Sequence, residues 1–145
     1  RSAGLDTINI SLYTLSDVTF KKLSRRDGLE RVLGGIDAAC RAGYKPKLNA
    51  VLLRSINADE AIELVDFALQ RDLTIRFIEF MPLDADGRWQ QSEMISGEEL
   101  RERLALQYGP LLPVERDDSA RPAQDYHFVQ RPGFVGFIDS VSQPF

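Results

Sequence analysis

The order of apolar and polar residues along the chain predicts three strand–helix units in succession. Short apolar or β-branched runs at 7–12, 46–53 and 74–80 have the length and composition of strands. Apolar residues at helical spacing follow the first two runs, and Ser96 with Glu99 opens a further helix as a capping box does. The connections are too long for hairpins, so we expect parallel strands.

Local signals predict where the helices begin and end. Ser16 is placed to cap a short helix, and Gly43 is placed to end the longer helix that follows. Asn57, with Glu60 three residues later, forms a capping-box pattern at the start of the next helix. These signals agree with the strand–helix order that the apolar pattern predicts.

A different pattern follows the third strand. A polar loop is expected at 83–95, and a charged, proline-containing stretch lies at 115–124. The end of the chain reads as a β-hairpin, with strands at 126–130 and 134–138 around a turn at Pro132-Gly133.

Together the elements predict an α/β fold. Three parallel βα units form half of a (β/α) barrel or part of an open sheet, and a helix and a hairpin follow. We expect residues 1–82 to form the half barrel and residues 83–145 a separate C-terminal segment. Ligands of such folds bind at the carboxyl ends of the strands.

Composition and charge exclude several classes of partner. Lys and Arg number 18 against 22 Asp and Glu, a net charge of −4, whereas a nucleic-acid binder would carry a basic footprint. The apolar runs are too short to cross a bilayer. The single cysteine, Cys40, cannot form an internal disulfide, which favours a reduced, cytoplasmic setting. One cysteine and one histidine cannot ligate a metal cluster alone.

Polar residues at matching strand positions are the candidates for a site. Asn9 and Ser11 share one face of the first strand, and their expected neighbours in the second are Lys47 and Asn49. Arg76 stands in the third strand, where an arginine can clamp a carboxylate and a lysine can meet a phosphate.

Structural explanations compete with this interpretation. Arg76 and Glu79 are equally well explained as an ion pair or as residues on opposite faces of the sheet. Lys47 at a strand start is typically solvated, a strand serine such as Ser11 is often only hydrogen-bonded, and Met81 is often core filler.

Four stretches of the chain resemble one family. They are Gly4 to Leu12 (G-L-x-x-[VI]-N-[VI]-S-[LV]), Gly35 to Gly43 (G-I-D-A-A with A-G), Lys47 to Arg54 (K-[VL]-N-x-V-x-x-R) and Arg76 to Met81 (R-F-I-E-x-M). The chain resembles the GTP 3′,8-cyclases, radical S-adenosylmethionine lyases that begin molybdenum cofactor biosynthesis. These enzymes convert GTP into (8S)-3′,8-cyclo-7,8-dihydroguanosine 5′-triphosphate.

The resemblance implies roles for four residues. Ser11 and Met81 match positions that contact S-adenosylmethionine, and Arg76 matches a residue expected to hold its carboxylate. Lys47 matches a GTP-binding lysine. No catalytic residue is implied within the chain.

Departures from the family limit what this chain is expected to do alone. The complete enzymes use S-adenosylmethionine and two [4Fe-4S] clusters, but the C-x-x-x-C-x-x-C motif and the later cysteines are absent here. We therefore expect the chain to correspond to the middle and later part of the enzyme. By itself it is expected to be inactive and to hold no cofactor or metal.

Two alternatives and one consequence remain open. The chain is alternatively a non-catalytic half-barrel module with at most weak nucleotide or S-adenosylmethionine binding, or part of another radical S-adenosylmethionine enzyme. A half barrel exposes two sheet edges, so we expect a homodimer or another form of self-association.

Overall fold

The computed structural model describes residue 4 and residues 7–81, 90–115 and 122–142. Within these residues lie four α-helices, six strands and two short 3₁₀ turns. The helices are α1 (Asp17–Ser24), α2 (Leu29–Arg41), α3 (Ala61–Leu69) and α4 (Gly97–Tyr108). The strands are β1 (Asn9–Ser11), β2 (Lys47–Val51), β3 (Ile75–Ile78), β4 (Leu111–Pro113), β5 (Gln124–Phe128) and β6 (Phe134–Ile138). The 3₁₀ turns are Ala58–Glu60 and Gln91–Glu93.

The described strands form one mixed sheet in the order β1-β2-β3-β6-β5-β4. Strands β1, β2, β3 and β6 run parallel to their neighbours, whereas β6, β5 and β4 are joined by antiparallel pairing. The predicted α/β class and the predicted hairpin of β5 and β6 are therefore confirmed. Closure of the sheet as half of a barrel remains a prediction.

Two features of the sheet go beyond the sequence pattern. The hairpin joins the parallel strands directly, because β6 lies beside β3. Strand β4, which no periodic signal predicts, pairs with β5 and forms one edge of the described sheet; β1 forms the other. Both edges offer unpaired backbone groups, and the self-association expected from them remains a prediction.

Alternation along the central strands separates two faces of the sheet. Residues of β2 and β3 are buried at every second position, as expected for strands covered on one side. The buried positions join the helices in one hydrophobic core, whose central members are Ile36, Leu48, Leu64, Ile75, Phe77, Leu104, Val135 and Phe137. The intervening side chains are only partly covered, and they include two of the predicted site residues, Lys47 and Arg76.

Most predicted helix ends are confirmed. The Ser16 hydroxyl accepts a hydrogen bond from the Thr19 N–H at the start of α1, and the Ser96 hydroxyl accepts one from the Glu99 N–H at the start of α4. Gly43 has a φ of +81° just beyond α2, a conformation that glycine adopts without strain.

The capping box predicted at Asn57 is wrong. Asn57 precedes the 3₁₀ turn, but its side chain makes no cap hydrogen bond there. Its amide group donates instead to the carbonyls of Tyr13 and Val51 at 2.9 and 3.1 Å, and its oxygen accepts from the Leu53 N–H at 2.7 Å. This buried amide therefore joins the segment that follows β1 to the end of β2 and the residues after it, and it satisfies three backbone groups there.

Glu60 also serves a tertiary contact rather than a cap. Its carboxylate accepts hydrogen bonds from the Thr14 hydroxyl and from the Leu15 N–H. Thr14 is fully buried, so the contact satisfies a hydroxyl that has no access to water.

Parts of the predicted loops lie outside the described residues. Residues 83–89 of the polar loop and residues 116–121 of the charged stretch are among them, whereas Gln91–Glu93 within the loop forms a 3₁₀ turn. The predicted hairpin strand begins two residues earlier than expected, at Gln124. Among the described helices, none is long and apolar enough to span a bilayer.

Candidate functional site

Strand register brings three of the polar residues into one row. Ser11 of β1 lies opposite Asn49 of β2, and Asn49 lies opposite Arg76 of β3. Lys47 lies opposite Asn9 in the same two strands, two residues closer to the start of each strand. The predicted pairing of Asn9 and Ser11 with Lys47 and Asn49 is confirmed.

We call the partly covered surface that bears Ser11, Lys47, Asn49, Arg76 and Asp125 the open face. Ser11 is exposed, and the other four residues are partly buried. The side-chain oxygen Oδ1 of Asn49 is inaccessible to water and has no hydrogen-bond partner within the described residues. An unpaired buried acceptor is costly in a folded protein, and such groups often mark a binding surface.

Arg76 contacts a carboxylate of the same chain. Its Nε donates to Oδ1 of Asp125 at 3.3 Å, and its Nη2 donates to Oδ2 at 3.1 Å. The Arg76 side chain is 17% exposed and that of Asp125 is 34% exposed. The pair is therefore partly shielded from water, which makes it stronger than an ordinary surface ion pair.

Lys47 and Met81 lie at opposite ends of the strands. Lys47 begins β2, and its backbone N–H donates to the Ile8 carbonyl at 2.9 Å. Met81 lies three residues beyond the end of β3 and is partly buried. A single compact ligand could not contact both along an extended strand, so the two residues suit different ligands or different parts of a long one.

Glu79 faces the opposite side of the sheet from Arg76. The residue is 4% exposed. Its Oε1 accepts a hydrogen bond from the N–H of Gly97, the first residue of α4, at 3.2 Å. Its Oε2 accepts from the N–H groups of Val141 and Ser142, both at 2.8 Å, and the Ser142 hydroxyl donates to Oε1. Arg76 and Glu79 therefore lie on opposite faces of the sheet and do not form an ion pair with each other, which decides between the two explanations that the sequence left open.

The surroundings of Glu79 favour its charged form. Burial raises the pKa of the carboxyl group, but the hydrogen bonds from Ser142, Val141 and Gly97 outweigh burial and lower the pKa below its ordinary value. The N-terminus of α4 adds a favourable dipole at Gly97. Glu79 therefore ties the end of β3 to the start of α4 and to the turn after β6.

The half of the chain that contains β3, α4 and the three C-terminal strands carries the decisive similarity. Residues 73–145 match the family described as Molybdenum Cofactor Synthesis C. The chain belongs to the Molybdenum Cofactor Synthesis C family. The predicted resemblance to the GTP 3′,8-cyclases is confirmed, because several similar curated proteins carry that name.

Three curated relatives illustrate this similarity. A GTP 3′,8-cyclase of Rhodopirellula baltica is 42% identical over all of this chain and 41% of its own length. A GTP 3′,8-cyclase of Paenarthrobacter nicotinovorans is 43% identical over all of this chain and 44% of its own length. Molybdenum cofactor biosynthesis protein 1 of Drosophila melanogaster is 39% identical over 99% of this chain and 25% of its own length. The chain thus spans less than half the length of these relatives.

The ligand-binding roles expected for Ser11, Lys47, Arg76 and Met81 remain predictions. The structure brings Ser11 and Arg76 into one row through Asn49, and it places Lys47 and Met81 on either side of that row, Lys47 at the start of β2 and Met81 beyond the end of β3. Sequence reasoning did not single out Asp125, because its contact with Arg76 depends on a strand pairing that no local signal predicts.

The residues present do not fit an iron–sulfur cluster. Such clusters are held by several cysteine thiolates, and the one cysteine, Cys40, lies in α2 and packs against the hydrophobic core. The described residues contain no group of three or more His, Cys, Asp or Glu side chains arranged to hold a metal ion.

Proposed function

We propose that this chain forms part of a GTP 3′,8-cyclase and supplies one wall of its ligand sites. The observation that carries the proposal is the row of Ser11, Asn49 and Arg76 across three parallel strands, in a chain whose relatives bear that enzyme's name. The row combines a hydroxyl, an amide and a guanidinium on a partly covered surface. These groups suit a ligand that carries hydroxyls and a carboxylate.

In this proposal the ligand of the row is S-adenosylmethionine. Arg76 binds the carboxylate of its methionine part, Ser11 contacts the cofactor from β1, and Met81 contacts it beyond the end of β3. When bound in the complete enzyme, S-adenosylmethionine supplies the radical chemistry. Lys47 at the start of β2 binds GTP as a point charge.

The proposed division of labour follows the same elements. Residues 1–82 provide the second half of the barrel, and residues 83–145 provide a C-terminal segment whose β6 extends the sheet beside β3. The cluster ligands must come from outside these 145 residues, because the chain has one cysteine. We infer that the chain alone does not turn over GTP and retains at most weak ligand binding.

A hybrid enzyme tests the proposal. The whole 145-residue chain replaces the matched segment of the Rhodopirellula baltica enzyme, and the hybrid is assayed for S-adenosylmethionine-dependent conversion of GTP. We expect turnover, and we expect Arg76→Ala to raise the KM for S-adenosylmethionine at least about tenfold, the loss of one charge-assisted contact. Lys47→Ala should raise the KM for GTP instead.

The matched control is Arg71→Ala. Arg71 pairs with Asp37 at 3.0 Å, so this variant also loses an arginine–aspartate pair, but one that joins the turn after α3 to α2, away from the open face. A folded hybrid without turnover would contradict the enzymatic proposal. Equal effects of the Arg76 and Arg71 substitutions would contradict the assignment of the site.

A further inference from the structure

Arg76 reaches across a neighbouring strand to its partner. Arg76 lies opposite Gly136 in the β3–β6 pairing, and Asp125 lies opposite the same glycine in the β5–β6 pairing. The row that begins with Ser11 and Asn49 therefore continues through Arg76 and Gly136 to Asp125. The ion pair joins β3 to β5 across β6, which lies between them.

Gly136 makes this contact possible. A Cβ atom at this position would lie 2.6 Å from Oδ1 of Asp125 and 2.7 Å from Cγ of Arg76. Both distances are below any normal contact, so any larger residue would push the pair apart. The backbone conformation of Gly136 does not itself require glycine; the space that the ion pair fills does.

The contact uses one edge of the guanidinium group. An arginine can meet carboxylates along its Nε–Nη2 edge and along its terminal Nη1–Nη2 edge. Both hydrogen bonds to Asp125 lie on the Nε–Nη2 edge. The terminal edge is the one with the geometry to receive a second carboxylate.

Fixing the guanidinium has a consequence for binding. A long arginine side chain loses rotamer freedom when a ligand immobilises it, and a contact that holds it beforehand removes part of that cost. Asp125 is one-third exposed, so water screens its repulsion of a second carboxylate. Arg76 makes both of these hydrogen bonds to Asp125, and Oδ1 of Asn49, the residue opposite Arg76 in β2, has no partner among the described residues.

We propose that Asp125 is a positioning residue that holds Arg76 over Gly136, so that the terminal edge of the guanidinium receives the carboxylate of S-adenosylmethionine. The proposal rests on the proposed function. It adds a residue from the C-terminal hairpin to a site that is otherwise built from β1, β2 and β3.

The hybrid enzyme tests this role through the separation of two kinetic constants. Asp125→Ala should raise the KM for S-adenosylmethionine about five- to tenfold and leave the KM for GTP unchanged. Asp37→Ala, which removes the partner of Arg71, is the matched control and should change neither constant. In an Arg76→Lys background, Asp125→Ala should have no further effect, because lysine cannot form the two-point contact.

The other outcomes overturn the proposal. A lowered KM for S-adenosylmethionine would show that Asp125 competes with the ligand, and an unchanged KM would show that it plays no part. A further loss in the Arg76→Lys background would show an effect independent of Arg76. If Asp125→Ala does not fold, Asp125→Asn removes the charge with nearly unchanged shape and is judged by the same criteria.

A second readout needs no turnover. In the NMR spectrum of the 145-residue chain, the Nε–H signal of Arg76 should shift and exchange faster with water when Asp125 is replaced by alanine. An unchanged signal would overturn the role of Asp125 while the proposed function stood. A wild-type hybrid without S-adenosylmethionine-dependent turnover would overturn the proposed function, and the role of Asp125 with it.

Discussion

The two faces of the sheet handle two charges, three residues apart, in different ways. Arg76 faces the open side, 17% exposed, and it is met by the Asp125 carboxylate, which reaches it across β6 from β5. Glu79 faces the helices, 4% exposed, and it accepts hydrogen bonds from three backbone N–H groups and one hydroxyl. One charge is balanced by another side chain, and the other is balanced by fixed dipoles.

This difference separates a charge that is surrounded by backbone donors from one that is held by a single side chain. The N–H groups around Glu79 belong to the start of α4 and to the turn after β6, so they cannot move without moving those elements. Asp125 meets Arg76 through its side chain, and it occupies one edge of the guanidinium. Fixed backbone donors around a buried charge stabilise the fold, whereas a guanidinium held along one edge by a carboxylate can still receive a second carboxylate along its other edge.

The largest expected effect comes from Glu79. Glu79→Gln places an amide N–H₂ where the carboxylate accepted hydrogen bonds, so backbone donors of Gly97, Val141 or Ser142 lose their acceptor. We expect the free energy of unfolding to fall by about 3 kcal/mol, the range for breaking a buried charged contact. Urea unfolding followed by circular dichroism measures the change.

Glu102→Gln is the matched control for that variant. Glu102 is exposed on α4, so the same chemical change there should alter the free energy of unfolding by less than about 0.5 kcal/mol. Similar losses in the two variants would mean that the contacts of Glu79 do not stabilise the fold.

The stabilisation by Glu79 should also depend on pH. Hydrogen bonds hold its pKa in the folded protein below its ordinary value, so its contribution is complete above the unfolded pKa of about 4.3. It is lost as the pH falls through the lower, folded pKa. The stability difference between wild type and Glu79→Gln should therefore narrow below about pH 4; a constant difference from pH 6 to pH 3 would contradict this.

The contrast between the two faces could be predicted only in part. Alternation in β3 places Arg76 on one face and Phe77 on the other, and by the same period Glu79 belongs with Phe77. The partners of Arg76 and Glu79 could not be predicted, because Asp125 and Ser142 lie 49 and 63 residues away from them along the chain. Local signals decide which face a side chain occupies, and strand pairing decides what it meets there.

Asn57 shows the same limit on the helix side. Its sequence neighbourhood favours a capping box, yet its side chain binds the segments that follow β1 and β2. Three backbone groups bind the amide, and their combined hydrogen bonds outweigh one cap contact. The Ser16 and Ser96 caps were predictable because, among the residues that the structure describes, each hydroxyl has only its local cap contact.

Gly136 allows the open face to be disturbed without touching either charged residue. Gly136→Ala should lower the free energy of unfolding by about 1–2 kcal/mol, because the added Cβ overlaps Arg76 Cγ at 2.7 Å. Gly35→Ala is the matched control: no atom lies within 4 Å of the added Cβ, and alanine favours the helix, so stability should rise by about 0.5–1 kcal/mol. Chemical denaturation measures the free energy of unfolding of both variants. A Gly136→Ala variant more stable than the wild type would contradict the close packing of Arg76 and Asp125 over Gly136.

The smallest expected change in stability belongs to Asp125, and it is the sharpest test of the contrast. The Arg76–Asp125 pair is partly exposed, so Asp125→Asn should lower the free energy of unfolding by no more than about 1 kcal/mol in urea. The same substitution should measurably weaken the use of S-adenosylmethionine in the hybrid enzyme. A loss as large as that of Glu79→Gln would mean that both charges serve the fold. A small loss together with a raised KM would separate the two faces, one stabilising the sheet and the other binding the ligand.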